Sequence, residues 1–497
     1  MNLSEHITFP HLLIFIPLIA GLMVFFTGKE SVAKLWALLA ALLTLGISIS
    51  TLFYKDNANL NGSAYTYEWM KYLGSSFSVT LDGVGRLLTF LTALSFPVIF
   101  IAVYKNTYKS ANIFYGLMLL SQAGLMGVFT ASDALLFYFF WELALIPVYF
   151  LCSRWGGERR IPATFKFFVY TFAGSLLMLT GIIYIYLHTT PVMSNNDIMS
   201  DHSFAWQAFA TAKIAPADGN WLFWLLFIAF AVKMPIFPFH TWQPDAYDQS
   251  PAPATMVLSG IMVKMGLFGV IRWLLPILPQ ASAKYSSIVI VLSVAGMIYA
   301  SCIAIVQDNL KKLVAYSSIA HLGLMCAAVF SQSEIGLEGV MIQMFNHGIN
   351  IIGLWIVIAL IEKQLGIKKI SELGGIAQKA PVLTILLVII ALANIALPLT
   401  NAFVGEFMMF TGLYHFSQWI TAVAGLSVIL AAVYTLNMIK NVFLGENNSV
   451  TSLIKDISLN EKLILCVVVI FIFVIGVYPQ PMLDMAKDTV KMVASRW

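Results

Sequence analysis

Apolar runs of about twenty residues recur along this chain between short polar connections, and their length predicts membrane-spanning helices. They lie near 9–26, 33–54, 83–104, 112–130, 133–152, 163–187, 221–239, 254–274, 286–306, 310–331, 338–362, 381–413, 417–443 and 460–479. That makes about fourteen helices on a window of about twenty residues. The first run, FPHLLIFIPLIAGLMVFF, follows a segment that holds Glu5 and no Lys or Arg, so it reads as a retained span and not a signal peptide. Two longer polar stretches, 55–82 and 188–220, interrupt the pattern, and the first alternates (YTYEWM, FSVTL) in the manner of a short hairpin. The C-terminus comes soon after the last run, and no long further element is expected there.

Two of the runs are broken by proline. KMPIFPFH holds Pro235 and Pro238, and the unusually long run 381–413 holds Pro398 in ALPLTNAFVGEF. Proline removes a backbone N–H and frees carbonyls that only protein or water can satisfy inside lipid, which is how transporters build ion sites at mid-depth. The two breaks are five spans apart, and five is odd, so the pattern predicts two copies of opposite topology. The expected division is helices 1–3 over 1–110, a first inverted repeat of helices 4–8 over 111–275, a second of helices 9–13 over 276–445, and helix 14 over 446–497. Basic residues such as Lys29, Lys105, Arg159, Lys312, Lys369 and Lys455 fall in or beside odd-numbered connections. The odd connections are therefore expected in the cytoplasm and both termini outside.

Composition narrows the class. With 60% hydrophobic and 10% charged residues in 497, the chain is a polytopic all-α protein of the lipid bilayer. A net charge of +4 needs no nucleic acid partner, because an excess of Lys and Arg on one membrane face gives the same balance. Cys152, Cys302, Cys326 and Cys466 are far apart and make no zinc, haem or iron–sulfur pattern. With no P-loop and no dinucleotide fingerprint either, no cofactor is expected in this chain.

The informative residues are ionisable ones where oil is expected. Lys233 lies roughly 18 Å along its helix from Trp221, and Lys264 roughly 15 Å from Ala254, both near the middle of a core about 30 Å thick. A charge there costs about 3 kcal/mol or more unless a partner or water accompanies it. Glu142, in FWELALIPVYF, is the expected partner of Lys233. His321, in YSSIAHLGLM, is also near the midplane, and its ordinary pKa near 6.5 suits a proton relay. His347, in QMFNHGINIIG, is a second candidate, with Asn346 beside it as a local hydrogen-bond partner, and Glu406 lies just past the second break. Lys166 is close enough to its helix start to reach the surface; His240, Asp245 and Asp248 follow the seventh span toward the cytoplasm, where Asp248 is expected to cap the next helix and a role at a proton entrance is the alternative. Glu142, Lys233, Lys264, His321 and Glu406 thus fall on five helices at similar depth, which predicts a hydrated axis running along the membrane plane. Alternating lysines and carboxylates fit proton exchange better than sodium coordination.

FWELALIPVYFL, KMPIFPFHTWQPDAYDQSPAPATMVLSGIMVKMGLFG, AYSSIAHLG and FVGEF closely resemble the antiporter-like membrane subunits of respiratory complex I, which are related to the subunits of multi-subunit cation/proton antiporters. The likeness runs from about residue 80 to 445. It implies a fold of fourteen helices with two inverted five-helix repeats, acting as a proton-translocating module of an NADH:quinone oxidoreductase in the bacterial inner membrane. Carried over residue by residue, Glu142 and Lys233 match the ion pair, Lys264 the central lysine, His321 and His347 relay histidines, and Glu406 the exit-side glutamate. A glutamate at 406 resembles the subunit M branch; the L and N branches typically have lysine there, and the lack of a long lateral helix also disfavours L. The likeness implies FMN, iron–sulfur clusters and quinone in partner subunits, with other membrane-arm subunits, including the neighbouring antiporter-like ones, as partners. The chain departs from the family pattern LPGTGNF at the second break, where Leu399 and Asn401 stand for glycines. A subunit of a secondary Na+/H+ antiporter is the alternative, and a passive scaffold is disfavoured by the mid-depth charges.

Overall fold

A computed structural model describes residues 8–53, 64–190, 192–194 and 197–497 of the chain. Glu5 and most of the stretch before the expected hairpin lie outside the described residues. Two apolar helices open the chain, α1 (Phe9–Val24) and α2 (Glu30–Phe53). Strands β1 (Ala64–Met70) and β2 (Ser75–Thr80) then pair antiparallel, with Tyr65 opposite Val79, which is the hairpin the alternation predicts. Four long helices follow: α3 (Gly83–Ala102), α4 (Ala111–Thr130), α5 (Ala134–Trp155) and α6 (Arg160–Tyr186). Asp133 ties the hairpin to this bundle. Its carboxylate accepts the amides of Leu135 and Leu136 as the cap of α5, and also the Ser75 hydroxyl and the Ser76 amide of β2.

The polar stretch after α6 holds a second small hairpin, β3 (Val192–Ser194) with β4 (Asp197–Ser200), and the single-turn α7 (Trp206–Ala210). Then come α8 (Pro216–Lys233), α9 (Trp242–Gln249) and α10 (Ala252–Leu274), followed by α11 (Pro279–Ile305), α12 (Leu310–Phe330) and α13 (Glu334–Leu365). The first proline break is visible between α8 and α9. Helix α8 ends at Lys233 itself, as expected where Pro235 cannot donate to the helical ladder. Helix α10 is not one regular α-helix. Instead two π-helical turns, Leu258–Met262 and Val270–Leu274, flank a short α stretch that carries Lys264. Such turns are rare and concentrate where a helix serves a site.

The second break separates α14 (Pro381–Asn394) from α15 (Asn401–Phe416). In it Ala396 and Leu399 have left-handed backbone, at φ of 56° and 73°. That conformation costs a residue with a side chain about 1 kcal/mol or more, so the surroundings must hold it. One restraint comes from α17 (Leu459–Val477), reached through α16 (Gln418–Leu444): a Cβ on Gly476 would stand 2.3 Å from the Leu399 carbonyl oxygen, so only glycine lets the break lie against α17. The chain closes with α18 (Gln480–Ala494), an amphipathic helix that the apolar pattern does not announce. It buries Met482, Ala486, Val490 and Val493, and its Thr489 hydroxyl accepts the Gly83 amide at the start of α3.

Among the described residues, eleven helices are long and apolar enough to cross a membrane: α2 to α6, α10 to α13, α16 and α17. They differ in what surrounds them. Helix α10 is wholly enclosed by the rest of the protein, and α12 and α13 nearly so, whereas α2, α16 and α17 turn much of their apolar surface outward. Helices α13 and α15 approach closely, since a Cβ on Gly412 would lie 2.6 Å from the Gly336 Cα and one on Gly405 2.5 Å from the Gln343 side-chain oxygen. Small residues at such a crossing take the place of a hydrophobic driving force in lipid.

Candidate functional site

The enclosed centre of the bundle collects the ionisable residues singled out above. Lys264 on α10 has no solvent-exposed surface. Its Nζ donates to the carbonyl of Ser259, five residues back in the π-helical turn, at 2.8 Å, and meets Nδ1 of His347 at 2.8 Å. An ammonium has donors and no acceptor, so with Lys264 charged Nδ1 must accept and the imidazole proton sits on Nε2. Nε2 faces the Ser318 hydroxyl at 3.2 Å. His347 is therefore the direct partner of Lys264, which the sequence did not reveal. Asn346, expected to satisfy it locally, instead donates to the Asn401 carbonyl at 2.7 Å. Adjacent residues of a helix point about 100° apart, so Asn346 and His347 serve different neighbours.

His321 on α12 lies beside this pair, with ring centroids of His321 and His347 5.7 Å apart. Its Nδ1 is 3.1 Å from a carboxylate oxygen of Glu406 on α15, a charge contact without hydrogen-bond alignment. Both side chains are buried. They border a cavity of about 20 Å³, which is room for a water molecule. The cavity is also lined by Ser427 and Tyr434 of α16. The Tyr434 hydroxyl and the amide of Asn394, the last residue of α14, both donate to Ser317. The break before Glu406 is thus bonded to the serine next to the one that meets His347.

The expected ion pair between Glu142 and Lys233 is not formed. Lys233 Nζ is buried without a hydrogen-bond partner among the described residues and lies 5.6 Å from the centroid of the Trp141 ring; the Glu142 Oε1 atom is also buried and unpartnered. The reason is azimuth. Trp141 and Glu142 share a depth but point about 100° apart on α5, and it is Trp141 that faces Lys233. The Trp141 ring nitrogen is likewise buried and without a hydrogen-bond partner among the described residues. Polar groups so placed call for water.

At one end of the bundle a ring of charges surrounds a depression of about 560 Å³ lined in part by Arg159, Asp248, Lys311, Glu362 and Lys368. Lys166 pairs with Asp245 at 2.8 Å and so does not simply reach for the surface, and Lys311 pairs with Glu362 at 2.6 Å. Asp248 does not cap α10, whose N-cap is Pro251 with no side-chain bond. Its carboxylate accepts from Lys368 at 2.6 Å and from Asn309 at 2.9 Å. Burial pushes this carboxyl up, but the Lys368 ammonium and the two side-chain amides of Asn309 and Gln249 outweigh burial and hold it below the ordinary aspartate value. A depressed carboxylate stabilises the fold above its unfolded pKa of about 3.9 and loses that contribution as pH falls through the folded value. Asp248→Asn should cost about 1 kcal/mol at neutral pH, kept low by the partial exposure of Lys368. In thermal unfolding of the detergent-solubilised protein the gap to the parent should close in acid, and a gap independent of pH would contradict the assignment.

With this geometry in view, comparison with known proteins is decisive. Residues 131–431 match the family described as NADH:quinone oxidoreductase/Mrp antiporter, TM. The chain belongs to this family. Within it, the chain is 35% identical over 480 residues to NADH-quinone oxidoreductase subunit M of Rickettsia prowazekii, covering 95% of each. It is 32% identical over 492 residues to F(420)H(2) dehydrogenase subunit M of Methanosarcina mazei, covering 97% of each. Among solved structures, a chain of respiratory complex I from Thermus thermophilus superimposes with a TM-score of 0.87 at 26% identity, over 97% of this chain and 99% of that one. The family match takes in α5 to α15 and hence all six candidate residues, Glu142, Lys233, Lys264, His321, His347 and Glu406.

What sequence reasoning missed is the uncharged part of the site. Ser259, Ser318 and Asn350 are common residue types, and Asn401 stood out only as a departure from the family pattern. A further signal was FNHGIN, where Asn346 and Asn350 stand four apart and so share a face.

Proposed function

We propose that this chain is the M-type, proton-translocating membrane subunit of an NADH:quinone oxidoreductase and that protons pass through Lys264, His347, His321 and Glu406. The observation that carries the reading is a lysine with no exposed surface, bonded to a histidine whose ring stands beside a histidine–glutamate pair. The Lys264 ammonium has an imidazole nitrogen within hydrogen-bond reach, so its proton has a positioned acceptor. Transfer from Lys264 to Nδ1 of His347 leaves a neutral amine and an imidazolium. The imidazolium can lose its other proton at Nε2 toward Ser318 and water. A proton reaching His321 is then beside the Glu406 carboxylate. Each transfer changes the charge felt by its neighbours, which links one step to the next. Glu142 and Lys233 belong at the other end of this axis, as two charges that approach or part through water.

Fourteen spans follow if α1 and the two broken segments, α8 with residues 234–239 and α14 with α15, are added to the eleven continuous helices. The breaks lie in corresponding places of 111–275 and 276–445, which supports two inverted repeats, with 1–110 and 446–497 outside them. Basic connections at one face support a cytoplasmic placement of that face in a bacterial inner membrane, with both termini periplasmic. FMN, iron–sulfur clusters and quinone belong to partner subunits on this reading, and neighbouring antiporter-like subunits of the membrane arm are the lateral partners. Relatives named as NADH-quinone oxidoreductase subunits favour redox drive over a free-standing Na+/H+ antiporter. Lys233→Ala in inverted membrane vesicles should lower NADH-driven proton uptake severalfold with the complex assembled. Unchanged uptake, or uptake that depends on sodium and not on NADH, would overturn the reading.

A further inference from the structure

We propose that Asn346, Asn350 and Asn401 form a clasp that positions Glu406 against His321, so that proton transfer between these groups depends on amides bonded to one another and not to the proton carriers. This rests on the proton path proposed above.

Asn346 and Asn350 are one turn apart on α13, on a face adjacent to that of His347. Asn401 is the first residue of α15. Asn350 and Asn401 exchange two side-chain hydrogen bonds, each 3.0 Å, and Asn346 donates to the Asn401 carbonyl at 2.7 Å. The Asn401 side-chain oxygen also accepts the Ala402 amide at 2.9 Å, so the same group starts the helix. All three side chains are fully buried, where an unmade amide bond is costly and a made one therefore fixes geometry. Glu406 follows Asn401 by five residues, about 7.5 Å along the axis. Beyond it the crossing of Gly336 with Gly412 holds the two helices together.

Helix α13 therefore grips α15 on both sides of Glu406, and the same helix carries His347. The grip matters because the chain just before it is strained. Leu399 is held at φ 73°, and without the clasp the break can relax and carry Glu406 away from His321. Gly405, next to Glu406, faces the Gln343 side chain and offers no bond of its own to prevent this.

The test uses the complete complex in inverted membrane vesicles, with Asn350→Ala, Asn401→Ala, their double variant and Glu406→Gln. NADH-driven proton uptake, NADH oxidation and the amount of assembled complex are measured together. Each single asparagine variant is expected to lower uptake at least about fivefold at unchanged assembly, as small misplacement of transferring groups does. The double variant should be no worse than the poorer single, since both amides serve one pair. Asn350→Ser, which keeps a short donor and acceptor, should recover part of the loss. In redox-difference infrared spectra, the carboxyl band that vanishes in Glu406→Gln should shift in the asparagine variants, a response that a merely structural role would not give. Losses that add, or that follow the amount of assembled complex with the band unmoved, would overturn the clasp. Normal uptake in the asparagine variants with Glu406→Gln inactive would overturn the clasp alone. Normal uptake in Glu406→Gln would overturn the proton path and the clasp with it.

Discussion

Lys264→Ala should reduce NADH-driven proton uptake to background while the complex still assembles. The loss is expected to be about a hundredfold or more, the usual scale for deleting a positioned proton carrier. Assembly should survive because truncation removes a buried charge along with its bonds, and the desolvation cost of that charge disappears with it. What remains is the Ser259 carbonyl and His347 Nδ1, which have lost their donor. Water can replace it in the space vacated by the side chain. Lys264→Arg separates two roles. A guanidinium keeps the positive charge but does not release its proton at accessible pH. If Lys264 carries protons, the arginine variant is as inactive as the alanine one. Should arginine pump at the parental rate, Lys264 would be a fixed electrostatic anchor and not a carrier.

Glu406→Gln is the second large effect. Glutamine has nearly the same shape and keeps a group able to meet His321 at the observed 3.1 Å, so packing against Ser427 and Tyr434 is retained. It cannot take up or release a proton. Uptake is expected to fall about ten- to a hundredfold, with the thermal stability of the solubilised complex within about 0.5 kcal/mol of the parent. Parental uptake in this variant, measured with the same NADH oxidation rate, would remove Glu406 from the path.

How much of this could be read from residue order differs between the two levels. The long spans were legible because an apolar run of twenty residues in a helix leaves no other way to satisfy its backbone. The breaks were legible at Pro235 and Pro398 because proline cannot donate. The π-helical turns around Lys264 were not, since nothing in LSGIMVKMGLFGVI differs from an ordinary α-helix of small and apolar residues. Depth along the axis identified Lys233, Lys264, His321 and Glu406. Pairing was a different matter, because partners are set by rotation about the helix and by which helices adjoin. Hence Lys264 meets His347 and not a carboxylate, and Lys233 faces Trp141 and not Glu142. The C-terminal helix α18 was hidden for a simpler reason: its polar face dilutes the apolar signal that a twenty-residue window detects.

The complete enclosure of α10, with α12 and α13 nearly as shielded, has a consequence for how this machine meets its solvent. Acyl-chain length and headgroup type act first on the outer helices α2, α16 and α17, which bear the cost of any thickness mismatch by tilting. The helices that hold Lys264, His321 and His347 touch almost no lipid. A change of bilayer thickness is thus expected to reach the rim first and to leave the register of the inner groups in place.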